Sequence, residues 1–235
     1  MEPIVLDNIP FRADREALAR RLRVSPESDQ WPEVMALVEH AEAIGRPKAL
    51  YGVAYIDERG DDYLVVDGQR LTSRVLRVNV GNTRVPSGDA HRVFPYTATC
   101  GEELEAWGEG LNDVLQSYWS EAIREAALRS ATAALMKHLN ATFAPGKTST
   151  MNPGSLADWP LQQQRPLFRI LGDTEALVGV RLLPSHLMVP SKTVSGIRFA
   201  TEQTFESCML CPRPDCPGRR SPYDAQLHTT RYRQH

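Results

Sequence analysis

The run Leu183-Pro184-Ser185-His186-Leu187-Met188-Val189-Pro190-Ser191-Lys192-Thr193-Val194-Ser195-Gly196, continuing to Phe199, decides how the second half of the chain is read. Its short apolar pieces between turn formers predict a strand over 187–199. A preceding strand over 177–183 joins it near Pro184-Ser185, and a further turn falls at Pro190-Ser191-Lys192. Immediately upstream, 161–171 is apolar at helical spacing, with Pro166 in a first turn or at a kink. A helix and turn-linked strands in one stretch place the chain in a mixed α and β class.

Further upstream, Leu104, Trp107, Leu111, Leu115, Leu128 and Leu139 recur at helical spacing and predict a long helix over 102–140, loosened at its start by Gly108 and Gly110. Pro145 and Gly146 stop it, and a Ser/Thr/Gly-rich loop runs on to Pro153-Gly154. Between Tyr51 and Val80 the apolar runs are short and partly alternating, with Asp67-Gly68 as a tight hairpin, so antiparallel strands are expected there. The segment 80–95, containing Gly81, Asn82, Pro86, Ser87 and Gly88, reads as a polar loop. Near the N-terminus, Asp14 is placed to cap a short helix carrying Leu18 and Leu22, and a second helix over 33–44 closes at Gly45. The tail beyond Cys216, with Arg219, Arg220, Arg231 and Arg233 and few apolar residues, is expected to pack weakly.

With 235 residues and 42% apolar content, the chain can bury one sizeable core with a small appendage. A net charge of −2 gives no global electrostatic reason to bind nucleic acid or an anionic membrane, which leaves a protein or a small molecule as partner. The charged first thirty residues lack the apolar core of a signal peptide, and nowhere do about 18 apolar residues run together. A soluble, cytoplasmic protein is therefore expected, with its four cysteines as thiols or metal ligands and not disulfides.

Several short stretches, in order and at matching spacing, resemble the activation domain of cobalamin-dependent methionine synthase. They are Asn152-Pro153-Gly154-Ser155, Asp158-Trp159-Pro160-Leu161, Leu183 to Pro190, and Thr193-Val194-Ser195-Gly196. Thr99-Cys100-Gly101 with Glu103-Leu104-Glu105, and Asp67-Gly68 with Ser73, resemble turns of short free-standing relatives of that domain. The resemblance implies an α+β fold with a curved antiparallel sheet flanked by helices. It also implies an accessory role, in which the domain binds S-adenosylmethionine and docks on a corrinoid-binding protein or methyltransferase so that an inactive cob(II)alamin is reduced and remethylated. Cobalamin would be held by the partner, because no folate, homocysteine or cobalamin module fits beside this domain in 235 residues.

Carried over residue by residue, the ligand-binding positions are Thr150, Pro153, Gly154, Ser155, Met188, Pro190 and Ser195. Where the family places an Arg four residues before the Gly and a Tyr after it, this chain has Thr150 and Ser155. A hydroxyl replaces a charge-assisted, bidentate pair worth about 1.5–3 kcal/mol, and an aromatic surface is lost, so weak or absent S-adenosylmethionine binding is expected. No nucleophile or base constellation stands out, and no catalytic residue is assigned.

Cys208-x-x-Cys211-x-x-x-x-Cys216, among Pro212, Pro214, Pro217 and Gly218, has the spacing of a metal-binding loop. A [4Fe-4S] cluster is expected ahead of zinc, with Cys100 as fourth ligand and His186 or His228 as substitutes for it. The bland alternative is a buried, inert Cys100 and a metal-free redox pair at Cys208 and Cys211. His138 is expected to be solvated or capping, and Trp107, Tyr118 and Trp119 to be core. The chain thus divides into an N-terminal helical segment over 1–45, an activation-domain-like unit over 46–207 and a Cys-rich, basic tail over 208–235. A zinc-stabilised structural or regulatory protein keeping the same fold is the alternative from another functional class.

Overall fold

The computed structural model describes residues 1–81, 84–85, 88–89, 91–201, 205–216 and 219–232. Asn82, Pro86 and Ser87 of the expected loop, Pro217 and Gly218 of the Cys-rich segment, and Arg233 of the tail lie outside them. In chain order the first half comprises β1 (Pro3–Leu6), α1 (Arg15–Leu22), α2 (Trp31–Ile44), β2 (Lys48–Gly52), β3 (Ala54–Arg59), β4 (Tyr63–Val66), β5 (Gln69–Thr72), α3 (Arg74–Gly81), β6 (Arg84–Val85), β7 (Gly88–Asp89) and β8 (Arg92–Thr99). The second half comprises α4 (Glu102–Glu109), α5 (Val114–Phe143), β9 (Thr148–Met151), α6 (Gln164–Leu171), α7 (Thr174–Val178), β10 (Arg181–Leu182), β11 (Met188–Val189), β12 (Thr193–Ala200) and α8 (Leu227–Arg231).

The architecture is α+β. An eight-stranded antiparallel sheet runs β1-β2-β8-β3-β4-β5, with β12 on the other edge of β8 and β9 beyond β12. Beyond its first residue β8 is buried on both faces, because helices cover it from both sides. On one face, Ala131, Leu135 and Leu139 of α5 pack on Ala49, Tyr51 and Tyr96. On the other, Leu167 and Phe168 of α6 join Ile197, Phe199, Leu71 and Trp159. A further cluster holds α1, α2 and α4 against the first turns of α5 through Leu18, Val38, Leu104 and Ile123. No helix among the described residues is long and apolar enough to cross a membrane.

Local signals explain several elements directly. The Asp14 carboxylate accepts the Ala17 N–H at 3.0 Å and starts α1, while the Gly45 N–H closes α2 on the Ala41 carbonyl at 2.8 Å. Arg12 and Arg15 converge on the Glu42 carboxylate, and the hydrogen bond from Arg15 holds that carboxyl down at about 2. The Asp67-Gly68 turn joins β4 to β5, and β10 and β11 pair across the Pro184-Ser185 turn.

Elsewhere the structure corrects the sequence reading. The expected helix over 102–140 is two helices, because Gly110 ends α4 and Asp113 caps α5 afresh through the N–H groups of Leu115 and Gln116 at 2.9 Å. Residues 74–81 are α3 and not strand: the Ser73 hydroxyl accepts the Leu76 N–H at 3.0 Å and Asp158 accepts the Val75 N–H at 3.0 Å. The polar loop expected over 80–95 gives way to the central strand β8, and the loop before Pro153-Gly154 contains β9. The strand expected over 177–183 shrinks to β10, preceded by α7, which Asp173 caps through the Ala176 N–H at 3.0 Å. Tyr118, expected in the core, is 48% exposed, and β1 adds an edge strand that the helical reading of 1–45 lacked.

The tail is the largest correction. Tyr232 is 1% exposed, packs on Phe205, donates its hydroxyl to Asn79 at 2.9 Å and accepts Arg74 Nε on its carbonyl at 2.7 Å. Replacing it removes a large buried ring and leaves the Asn79 side chain short of a partner. Tyr232→Ala is therefore expected to cost about 3–5 kcal/mol in urea unfolding, and Tyr232→Phe about 1 kcal/mol. A Tyr232→Ala cost near zero would show the tail to be dispensable.

Candidate functional site

The motif residues gather where β9, β12 and the loop after β9 meet. Gly154 sits at φ +86°, donates its N–H to the Trp159 carbonyl at 2.7 Å, and lies 3.0 Å, measured from an added Cβ, from Leu161 Cδ1. Its glycine is thus demanded by backbone sign and by space. Ser155 N–H returns to the Asn152 carbonyl at 3.1 Å, making 152–161 a tight loop with Trp159 fully buried beneath it. Asp158, in the same loop, accepts the Ser73 hydroxyl as well as the Val75 N–H, so two separately noted motif residues meet as a cap for α3.

Asn152 joins the loop to the sheet, its amide donating to the Tyr96 hydroxyl and to the Ser195 carbonyl, both at 2.7 Å. The Ser195 hydroxyl donates to Gln164 on α6 at 2.6 Å. Burial pushes the Tyr96 phenol up to about 12, keeping it neutral. Directly across from Thr150 in the β9–β12 ladder stands Arg198, with Nη1 3.4 Å from the Thr150 hydroxyl. Its Nε is buried without a hydrogen-bond partner among the described residues, and desolvation lowers the guanidinium's pKa from its ordinary value. Sequence reading missed Arg198 and Tyr96, and it quoted Asn152 within a motif stretch without giving it a role. The signal for Arg198 was a lone cation between Ile197 and Phe199, but its meaning depends on the register that sets it over Thr150.

The remaining motif residues occupy the opposite end of β12. Met188 is half-buried in the β10–β11 hairpin, and Pro190 leads into a turn that two helices clamp. There Glu105 accepts the Ser191 N–H at 2.8 Å and its hydroxyl at 2.9 Å, and pairs with buried Arg124 at 2.7 Å, while Lys192 pairs with Glu121. Five residues of β12 lie between Lys192 and Arg198, six steps or roughly 20 Å at strand rise.

The cysteines divide in the same way. Cys100 lies at the Lys192 end, its N–H on the Lys192 carbonyl at 3.0 Å, fully buried in the α1–α2–α4 cluster. Burial, reinforced by Glu105, pushes its thiol up to about 12. Cys208, Cys211 and Cys216 follow Glu206, which bridges Thr150 on the outer edge of β9, so Cys100 stands apart from them. Among the described residues no group of three or more His, Cys, Asp and Glu side chains is arranged to hold a metal ion. His186 lies in the β10–β11 turn and His228 on α8, near the Ser73–Asp158 pair. His138 on α5 meets the Tyr51 hydroxyl through Nδ1 at 2.8 Å.

The fold is similar to that of a solved structure described as the MetH reactivation domain bound to AdoHcy, with a TM-score of 0.55 and 15% identity over 88% of this chain and 81% of that one. No family model and no curated protein sequence matches the chain. At this identity the likeness establishes the fold, and it agrees with the α+β sheet-and-helix arrangement that the motif resemblance implied.

The turn chemistry yields a direct test. Gly154→Ala should destabilise the protein by about 1–2 kcal/mol, since the left-handed backbone is retained with a Cβ against Leu161. Gly110→Ala, at φ −77° with no atom closer than 3.5 Å to the added Cβ, is the control and should change stability little in the same thermal unfolding assay.

Proposed function

We propose that this chain is an accessory protein of a corrinoid methyl-transfer system, which binds a corrinoid-holding protein or methyltransferase and assists its reductive reactivation. The observation that carries this reading is the fold likeness to a MetH reactivation domain over 88% of the chain, together with the placement of the motif stretches along β12, the Gly154 loop towards its β9 end and Met188 to Pro190 before its other end. Cobalamin belongs to the partner. The chain contributes a surface, formed by the Gly154 loop and the segment from Met188 to Ser195, whose two ends the sheet and the α4–α5 clamp hold rigidly. Leu187, 56% exposed and immediately before Met188, adds an exposed apolar side chain next to that segment.

A purified, corrinoid-loaded partner should retain this chain on an affinity support, and Leu187→Asp should weaken the complex at least tenfold by desolvating a charge in the interface. Failure of every corrinoid protein of the organism to bind would remove the reading and leave a structural or regulatory protein with the same fold.

The neighbour's AdoHcy raises the question of an S-adenosyl ligand here. Thr150 and Ser155 offer neither cation nor aromatic ring, but Arg198 carries a guanidinium onto Thr150 from the adjacent strand. S-adenosylmethionine is therefore expected to bind weakly, with its carboxylate at Arg198. Ligand-detected NMR should register this binding, and Arg198→Ala should weaken it about tenfold or more. Low-micromolar affinity that persists in Arg198→Ala would contradict both statements.

A further inference from the structure

Three of the chain's four cysteines fall between residues 208 and 216, and none of the three is buried, whereas Cys100 is. Free cysteines belong among the most buried residue types, so thiols kept near the surface need a chemical reason. Two of them share one turn. Ser207–Met209 is a 3-10 helix whose hydrogen bonds run on past its end: the Leu210 N–H reaches the Ser207 carbonyl at 3.1 Å, and the Cys211 N–H reaches the Cys208 carbonyl at 3.3 Å. Side chains three residues apart eclipse one another in such a turn, so Cys208 and Cys211 project to the same side. A turn closed in this way also keeps the two Cα atoms within about 7 Å, the separation that a disulfide spans without moving the backbone.

The turn is held from outside by one cation. Arg219 donates to the carbonyls of Cys208 at 3.0 Å and Cys211 at 3.1 Å, and also to that of Arg213. The same segment is tied down on either side: the Asp224 N–H donates to the Met209 carbonyl at 2.9 Å, and Arg220 pairs at 2.8 Å with Glu206, which bridges Thr150 on β9. Both cysteine backbones are thereby fixed while their side chains keep contact with solvent. We propose that Cys208 and Cys211 are a redox-active dithiol, which closes to an intramolecular disulfide by exchange with a low-molecular-weight disulfide. Nothing in this exchange calls on a corrinoid partner.

Cys208 is the attacking sulfur, because the Arg220 N–H stands 3.5 Å from its Sγ, a donor aimed where thiolate charge is held. Its thiolate attacks one sulfur of the small disulfide, that S–S bond breaks, and the first small thiolate leaves and takes a proton from water. Cys211, having lost its own proton to water, then attacks Cys208 Sγ in the mixed disulfide and expels the second small thiolate. Two protein thiols and one small disulfide become one protein disulfide and two small thiols, with two electrons passing from the protein. Cys216 lies beyond the Pro212–Pro214 stretch, with its carbonyl on the Arg219 N–H at 3.1 Å, and stays a thiol. Cys100 is enclosed in the α1–α2–α4 cluster and takes no part.

The test is equilibration of the full chain in buffers of reduced and oxidised glutathione, with acid quenching, thiol counting in denaturant and intact-mass measurement. Two of the four thiols of the wild-type chain should disappear, with the mass of two hydrogens and no bound glutathione. Cys100→Ser and Cys216→Ser should close in the same way. Cys208→Ser should form no such disulfide, and Cys211→Ser should stop at the mixed disulfide between Cys208 and glutathione. Arg219→Ala, which frees the turn but leaves both thiols, should lower the ratio of closed to reduced protein at a given glutathione ratio by about tenfold. A wild-type chain that keeps all its thiols, or that gains glutathione without closing, would overturn the dithiol. Loss of the disulfide in Cys216→Ser would overturn its assignment to the Cys208–Cys211 turn.

Discussion

Strand β12 can lie between β8 and β9 only because residue 196 has no side chain. A Cβ on Gly196 would stand 2.4 Å from the Met151 carbonyl, 2.5 Å from the Asn152 amide nitrogen and 3.0 Å from the Tyr96 hydroxyl. The vacated volume lets the Asn152 amide reach both Tyr96 and the Ser195 carbonyl, and that pair of bonds fixes where the 152–161 loop leaves the sheet. From there the loop delivers Trp159 to the core and Asp158 to the start of α3, whose last turn carries the Asn79 that Tyr232 needs. Two residues along β12, the same close approach sets Arg198 over Thr150.

How legible an element was in the sequence follows from whether its partners are local. The caps at Asp14, Gly45 and the Asp67-Gly68 turn involve residues within four positions of one another, and those elements were read correctly. Helix α3 carries Val75, Val78 and Val80, residues that favour strands, and it forms because Asp158, over eighty residues away, satisfies a first-turn N–H. Tyr232 is flanked by arginines, which read as a solvated tail, yet its partners Asn79 and Arg74 belong to that same distant helix. Helix α7 was legible in principle through Asp173, but the apolar run after it looked like a strand. In the candidate site, the motif positions were legible as a resemblance. The identity of the cation beside them was not, because a ladder register and not a spacing brings Arg198 to Thr150.

The two ends of β12 solve the problem of a buried arginine in opposite ways. At the Lys192 end, Arg124 is matched by Glu105 and Glu121, so the guanidinium clamps the 190–192 turn and carries no spare charge. At the other end Arg198 has a threonine hydroxyl and a neutral phenol nearby, and Glu206, the carboxylate closest to it in effect, is already paired with Arg220. An unneutralised, half-buried cation favours an anionic group, because in a partly desolvated setting the attraction is screened less than in water. The loop carrying Cys208, Cys211 and Cys216, with Arg219 and Arg220 built into it, lies against that end. The clamped end is thus suited to shape alone, and the end where the sheet meets the tail is the one that offers an uncommitted cation to a negatively charged group.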